Sequence, residues 1–175
     1  MKKIKILIAL SALCFGIQGY SQDDLAQKSI DGMLQMAQGQ IAALANAFDD
    51  AQLDWRPAPG IRSTGETILH VASANYYLAM KLGFPPPEGV DIMTMESITG
   101  RENIMKAYNA STVFIREKMK EIDSGSLGEE VDLGFAKMNR LSALLVVLEH
   151  TGEHKGQLIA YARSNGVTPP WSQSQ

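Results

Sequence analysis

The chain has 175 residues, 45% of them hydrophobic and 20% charged, the size and balance of one globular domain with enough apolar material for a core. That composition excludes an intrinsically disordered chain. The formal net charge is −3 and no basic run follows the first few residues, which makes a nucleic-acid-binding role a poor fit.

The first 21 residues read as a secretory signal peptide. Lys2, Lys3 and Lys5 form a basic start, an apolar run extends from Ile6 to Ile17, and Gly19 and Ser21 have the small side chains and spacing that signal peptidase requires. The run is short for a membrane span and no stop-transfer segment follows, so no stable span is expected in the mature chain. The reading is an exported protein, periplasmic if the source has an outer membrane and otherwise extracellular, with its domain over residues 22–175. Cys14 is the only cysteine. It follows Leu13 rather than the small residue that precedes a lipidated cysteine. Cleavage after Ser21 would remove Cys14 and the three lysines, taking the net charge from −3 to −6. A mature chain of this kind has no disulfide, no thiolate ligand and no cysteine nucleophile.

Four amphipathic segments follow, with no alternating strand pattern between them. Segment one runs from about Asp24 to Phe48, with Met33, Met36, Ile41, Leu44 and Phe48 as its apolar face. Segment two starts at Ser63-Thr64-Gly65-Glu66, which matches a capping box, and stops near Gly83 before Pro85-Pro86-Pro87. Segment three runs from about Arg101 to Ile122, with Ile104, Tyr108, Phe114, Ile115 and Met119 inward. Segment four runs from about Asn139 to Ser164 and ends at Asn165-Gly166. Four helices of this length predict an all-α four-helix bundle. The long connections, 49–62 and 84–100, allow a crossover and could shape the mouth of a pocket.

The chemistry concentrates on the three histidines, the only ones in the chain. His150 and His154 lie four apart on segment four, one turn and about 40° from each other. Their stripe includes Ala143, Val147, Gln157 and Tyr161, which suits an inward face. His70 lies midway along segment two among Leu69, Val71 and Ala72. Together they could form a three-histidine site for one divalent ion, with a position left for water or substrate. Alternatively, His150 and His154 are surface residues separated by Thr151, Gly152 and Glu153. The string His150-Thr151-Gly152-Glu153-His154 also matches the H-x-x-E-H motif of inverzincin proteases. No acidic residue follows His154 to serve as their third ligand, so Glu153 reads as a solvated helix residue.

Other residues carry two readings each. Glu66 could cap its helix or support His70. Gln157 could line the open position or be a satisfied core amide. Tyr76, Tyr77 and Tyr161 could orient a substrate or pack between helices. Trp55 is expected to cap the core, and the methionines to fill it.

The pieces Leu53-Asp54-Trp55-Arg56-Pro57-Ala58-Pro59-Gly60, Ser63 to His70, His150 to Gln157 and Pro169-Pro170-Trp171, in this order, make the chain resemble a DinB-family protein across nearly its whole mature length. The resemblance implies a four-helix bundle with a crossover connection and a divalent metal site with His70, His150 and His154 as ligands. It implies zinc or nickel as the metal, a homodimer, and a small-molecule substrate or ligand. Family activities point to a metal-dependent hydrolase or a thiol-linked transferase; the alternative is a metal- or small-ligand-binding module without turnover.

Overall fold

The computed structural model describes residues Gln22 to Ser172. The basic start, the apolar run and Cys14 lie outside the described residues. Among those described, the chain forms α1 (Gln22–Ala47), α2 (Asp50–Asp54), α3 (Thr64–Lys81), α4 (Arg101–Lys120) and α5 (Arg140–Ser164). Single turns of 3-10 helix occupy Met95–Ser97, Ser124–Ser126 and Pro170–Ser172. A hairpin pairs β1 (Glu130–Asp132) with β2 (Lys137–Asn139) antiparallel, with Val131 opposite Met138. The four long helices are the predicted bundle.

Local chemistry sets the helix starts. Ser63 Oγ accepts from the Glu66 amide and Glu66 Oε2 accepts from the Ser63 amide, which is the predicted capping box on α3. The same device, missed in the sequence, starts α2 inside the connection read as irregular. There Asp49 Oδ1 accepts from the Gln52 amide and Gln52 Oε1 accepts from the Asp49 amide. Asn139 caps α5 by accepting from the Ser142 amide.

One predicted face is corrected. Along α1 and just past its end, Ile30, Leu34, Ala37, Ile41, Leu44 and Phe48 form a buried stripe in a regular alternation of four- and three-residue steps, with Gln38 and Ala45 buried beside it. Met33 and Met36, expected inward, are exposed. They lie about 100° and 200° around the helix from Leu34, on the far side of that stripe.

Side-chain pairs define the helix directions. Arg116 meets Asp31 and Arg101 reaches the Phe48 carbonyl, so α1 and α4 run antiparallel. Gly65 lies beside Ile104 and Asn75 bonds Ser111, so α3 and α4 run parallel. Tyr161 bonds the Arg62 carbonyl just before α3 and His150 meets His70, so α5 runs antiparallel to α3. The principal packing pairs are α3 with α4 and α1 with α5.

Parallel neighbours force a crossover. The chain leaving α3 must travel back along its 18 residues, about 27 Å at 1.5 Å per residue, before α4 can begin. The segment 84–100 makes this return along the flank of α3, anchored by the buried Met95. Its path carries Glu96 past His70.

The β hairpin lies where the sequence showed no strand. Tyr77 pins it to α3 by donating its hydroxyl to the Leu133 carbonyl at 2.7 Å. The next residue must be glycine: Gly134 has φ +88°, and a Cβ there would stand 2.8 Å from that hydroxyl. Strands of three residues alternate over too short a span to register as a period.

One core position carries an unpaired cost. Gln38 is only 4% exposed, and neither its side-chain nitrogen nor its oxygen has a hydrogen-bond partner. Replacing it by Met removes a buried, unsatisfied amide at similar volume. Gln38→Met is predicted to stabilise the fold by about 1 kcal/mol, read as a higher thermal midpoint. A lower midpoint would mean that an ordered water satisfies the amide.

Candidate metal centre

The three histidines converge. His150 Nε2 lies 3.2 Å from His70 Nε2 and 3.1 Å from His154 Nε2. One ligand atom from each falls within 4.8 Å of the others. Zinc–imidazole bonds of about 2.0–2.1 Å at tetrahedral angles place neighbouring nitrogens about 3.3 Å apart, close to the observed spacing. α5 supplies two of the rings from successive turns of one face, and α3 supplies the third from the antiparallel helix beside it.

The outward sides of the rings are held by acceptors. His70 Nδ1 donates to Glu96 Oε1 at 2.7 Å. His154 Nδ1 donates to Gln157 Oε1 at 2.8 Å. From there Gln157 Nε2 donates to the Tyr161 hydroxyl at 2.8 Å, and that hydroxyl donates to the Arg62 carbonyl at 3.2 Å.

This chain has one consistent direction. A carbonyl can only accept, so the Tyr161 hydrogen points at Arg62 and its oxygen accepts from Gln157. The Gln157 oxygen therefore faces His154, and His154 carries its proton on Nδ1. Glu96 imposes the same tautomer on His70. Both Nε2 lone pairs then point inward, and one proton on His150 could satisfy only one of its two contacts. Two converging lone pairs, and a third ring whose Nε2 can present another, fit a cation.

Arg62 joins the two supports. Its backbone carbonyl ends the His154 chain, while its guanidinium binds Glu96 through Nε at 2.7 Å and a terminal nitrogen at 3.1 Å. Burial pushes the Glu96 carboxyl up, but the hydrogen bonds from Arg62 and His70 outweigh it and hold the group below its ordinary range. Burial, partly opposed by Glu96, lowers His70. Burial and then the neighbouring His154, His70 and Arg62 push His150 down to about 4. Both rings are therefore kept neutral, the form that binds metal.

One side of the centre opens into a cleft of about 370 Å³ whose walls include His70, His150, Tyr77, Glu96, Met93 and Phe135. Met93, on the crossover, is 91% exposed, and Phe135, in the turn of the hairpin, is exposed as well.

His70, His150 and His154 are brought together. Glu66 caps α3 and pairs with Arg56 at 2.8 Å, so Glu96, not Glu66, supports His70. Gln157 stands behind His154 rather than at the open position. Tyr161 belongs to the same supporting chain. Tyr76 packs against Phe114, with ring centroids 5.2 Å apart. Trp55 is half-buried and meets Tyr161 edge-on at 5.2 Å, as expected of a core cap. Glu153 is exposed. Sequence reasoning missed Glu96 and Arg62. Glu96 is 26 residues from His70 on a segment without periodicity, and the only available signal was that a crossover must pass that helix.

An all-α bundle with a crossover and three convergent histidines is the class of protein that this fold and site define. The model of the DinB superfamily matches residues 33–158, a span containing all three histidines, and the chain belongs to that superfamily. It is 27% identical over 128 residues to the uncharacterized protein YjoA of Bacillus subtilis (strain 168), covering 71% of this chain and 81% of YjoA. A DinB-like protein from Bacillus cereus ATCC 10987 has a similar fold, with a TM-score of 0.67 at 20% identity over 79% of this chain and 94% of that one. The structure of the B. subtilis YjoA protein gives a TM-score of 0.63 at 20% identity over 80% of this chain and 93% of that one.

The lowered histidines predict an acid response. An unfolded histidine with a pKa near 6.5 takes up a proton before the folded His150 does at about 4, so the fold loses stability as pH falls through that window. The metal-free protein should lose on the order of 1–2 kcal/mol between pH 6.5 and 4.5, above the range where the lowered carboxylates protonate. Thermal unfolding of a chelator-treated sample checks this. His150→Gln should flatten the dependence, and an unchanged slope would assign the acid sensitivity elsewhere.

Proposed function

We propose that this protein is an exported metal-dependent enzyme acting on a small molecule, with His70, His150 and His154 holding one zinc or nickel ion. The observation that carries the reading is the convergence of the three Nε2 atoms with two of the rings locked in the metal-binding tautomer. A divalent ion there supplies Lewis-acid chemistry, either on a bound water for hydrolysis or on a substrate thiol for transfer.

The chain's own residues bias that choice. Among the described residues the only carboxylate lining the cleft is Glu96, and it is already committed to Arg62 and His70. No free carboxylate among the described residues of the cleft stands ready as a general base for hydrolysis. A thiol, with an ordinary pKa of about 8.5, ionises far more readily than water and would release its proton to solvent on binding the metal, so thiol-linked transfer is the better fit. The rim residues Met93 and Phe135 favour a substrate with an apolar part.

The missing base also favours a second reading, in which the same centre holds a metal or small ligand without turnover. Export rests on the pattern of residues 1–21, and N-terminal sequencing of the protein from fractionated source cells tests it. A homodimer belongs to the same reading, supported by the exposed Leu25, Met33 and Met36 on the outer face of α1, and light scattering tests it.

Elemental analysis with kinetics tests the main reading. One equivalent of zinc or nickel is expected after reconstitution, with loss of metal and activity in His70→Ala and His150→Ala. Glu96→Gln is expected to keep the fold and weaken metal affinity about 10- to 100-fold, because the carboxylate orients His70. No metal in the reconstituted protein would sink the proposal. Stoichiometric metal without turnover on ester or thiol-transfer substrates would leave the non-catalytic reading.

A further inference from the structure

The crossover segment has a second side. Between it, α3 and α4 lies a cavity of about 590 Å³ that shares no lining residue with the histidine cleft. Tyr76 lines this cavity and is only 3% exposed. The hydroxyls of Tyr77, Tyr108 and Tyr161 donate to the carbonyls of Leu133, Gln38 and Arg62. The Tyr76 hydroxyl alone among the described tyrosines has no hydrogen-bond partner. Unlike the Gln38 amide, its oxygen is not sealed from solvent, so it is a donor free to meet an acceptor in the cavity. Burial raises its pKa and keeps it protonated.

The rest of the lining narrows what that acceptor is. Lys106 stands exposed at the rim and forms no ion pair with any described residue. The lone carboxylate of the lining, Asp91, is already engaged. Its Oδ1 accepts from the Met93 amide and its Oδ2 from the Thr94 hydroxyl, each at 2.9 Å. Asn103 directs its amide nitrogen to the Thr99 carbonyl at 3.1 Å. Val90, Met95, Ile98 and Ala107 supply apolar wall. A concave, mainly apolar site of this size with a few polar groups suits a small organic ligand.

We propose that this cavity is a second small-molecule site, specific for a small organic acid with an apolar body, recognised by the Tyr76 hydroxyl and the Lys106 ammonium. The site is built from other side chains than the metal centre, and the proposal stands whether or not the centre is catalytic.

Titration of the metal-loaded protein with 3-phenylpropanoate and with its neutral amide, followed by calorimetry and amide NMR, tests it. Saturable binding is expected, with the carboxylate about tenfold tighter than the amide. Lys106→Met should abolish that preference. Tyr76→Phe keeps the ring against Phe114 and should weaken the carboxylate about tenfold while leaving metal content and circular dichroism unchanged. Shifts should centre on Val90, Thr94, Asn103 and Ala107. No saturable binding, equal affinity for acid and amide, or wild-type affinity in both variants would overturn the proposal. So would binding that disappears on chelation and shifts only residues around His70 and His150.

Discussion

The centre depends on where two protons sit. Imidazole can present a lone pair or an N–H from either nitrogen, and a metal needs the lone pair. In this fold the choice is made from outside the centre, by Glu96 behind His70 and by Gln157, Tyr161 and the Arg62 carbonyl behind His154. The second route is determined by a single group that cannot donate. Because the Arg62 carbonyl can only accept, every hydrogen back to His154 has one orientation. Arg62 also fixes Glu96 through its guanidinium, so one residue at the start of α3 governs two of the three rings.

That arrangement rests in turn on the topology. With α3 and α4 parallel, the intervening chain must return along the bundle, and the return path lays Glu96 over His70. With α5 antiparallel to α3, the C-terminal turns of α5 lie beside the residues that precede α3, which brings Tyr161 to Arg62. The same crossover segment presents Ile92, Met93 and Glu96 to the histidine cleft and Thr94, Met95 and Ile98 to the cavity on its other side. One irregular stretch, held by the buried Met95, is thus the wall between two concave surfaces.

What could be read from the sequence follows the range of the interactions involved. The four long helices announce themselves by periodicity over twenty or so residues and by caps such as Ser63–Glu66. His150 and His154 are legible because their four-residue spacing is itself the geometry. His70 could be placed on a helix, but its proximity to the pair needed the family resemblance. Glu96 and Arg62 could not be found, since their roles depend on the route of a segment that carries no pattern. The hairpin was hidden by its short strands, and the inward face of α1 was misassigned because two exposed methionines resemble core residues. The capping box at Asp49–Gln52 was a local signal that was present and overlooked.

The separation of the ligands along the chain has a consequence for the unfolded state. His70 and His150 are 80 residues apart in sequence, and Cys14 is the only cysteine, so no disulfide can tie such distant segments within one chain. An ion gripping both would close that loop in the way a covalent staple does, and by chain entropy a closure of this span is worth about 4.5 kcal/mol. The centre would then act as a fastener: the protein's resistance to unfolding would follow the supply of free metal around it.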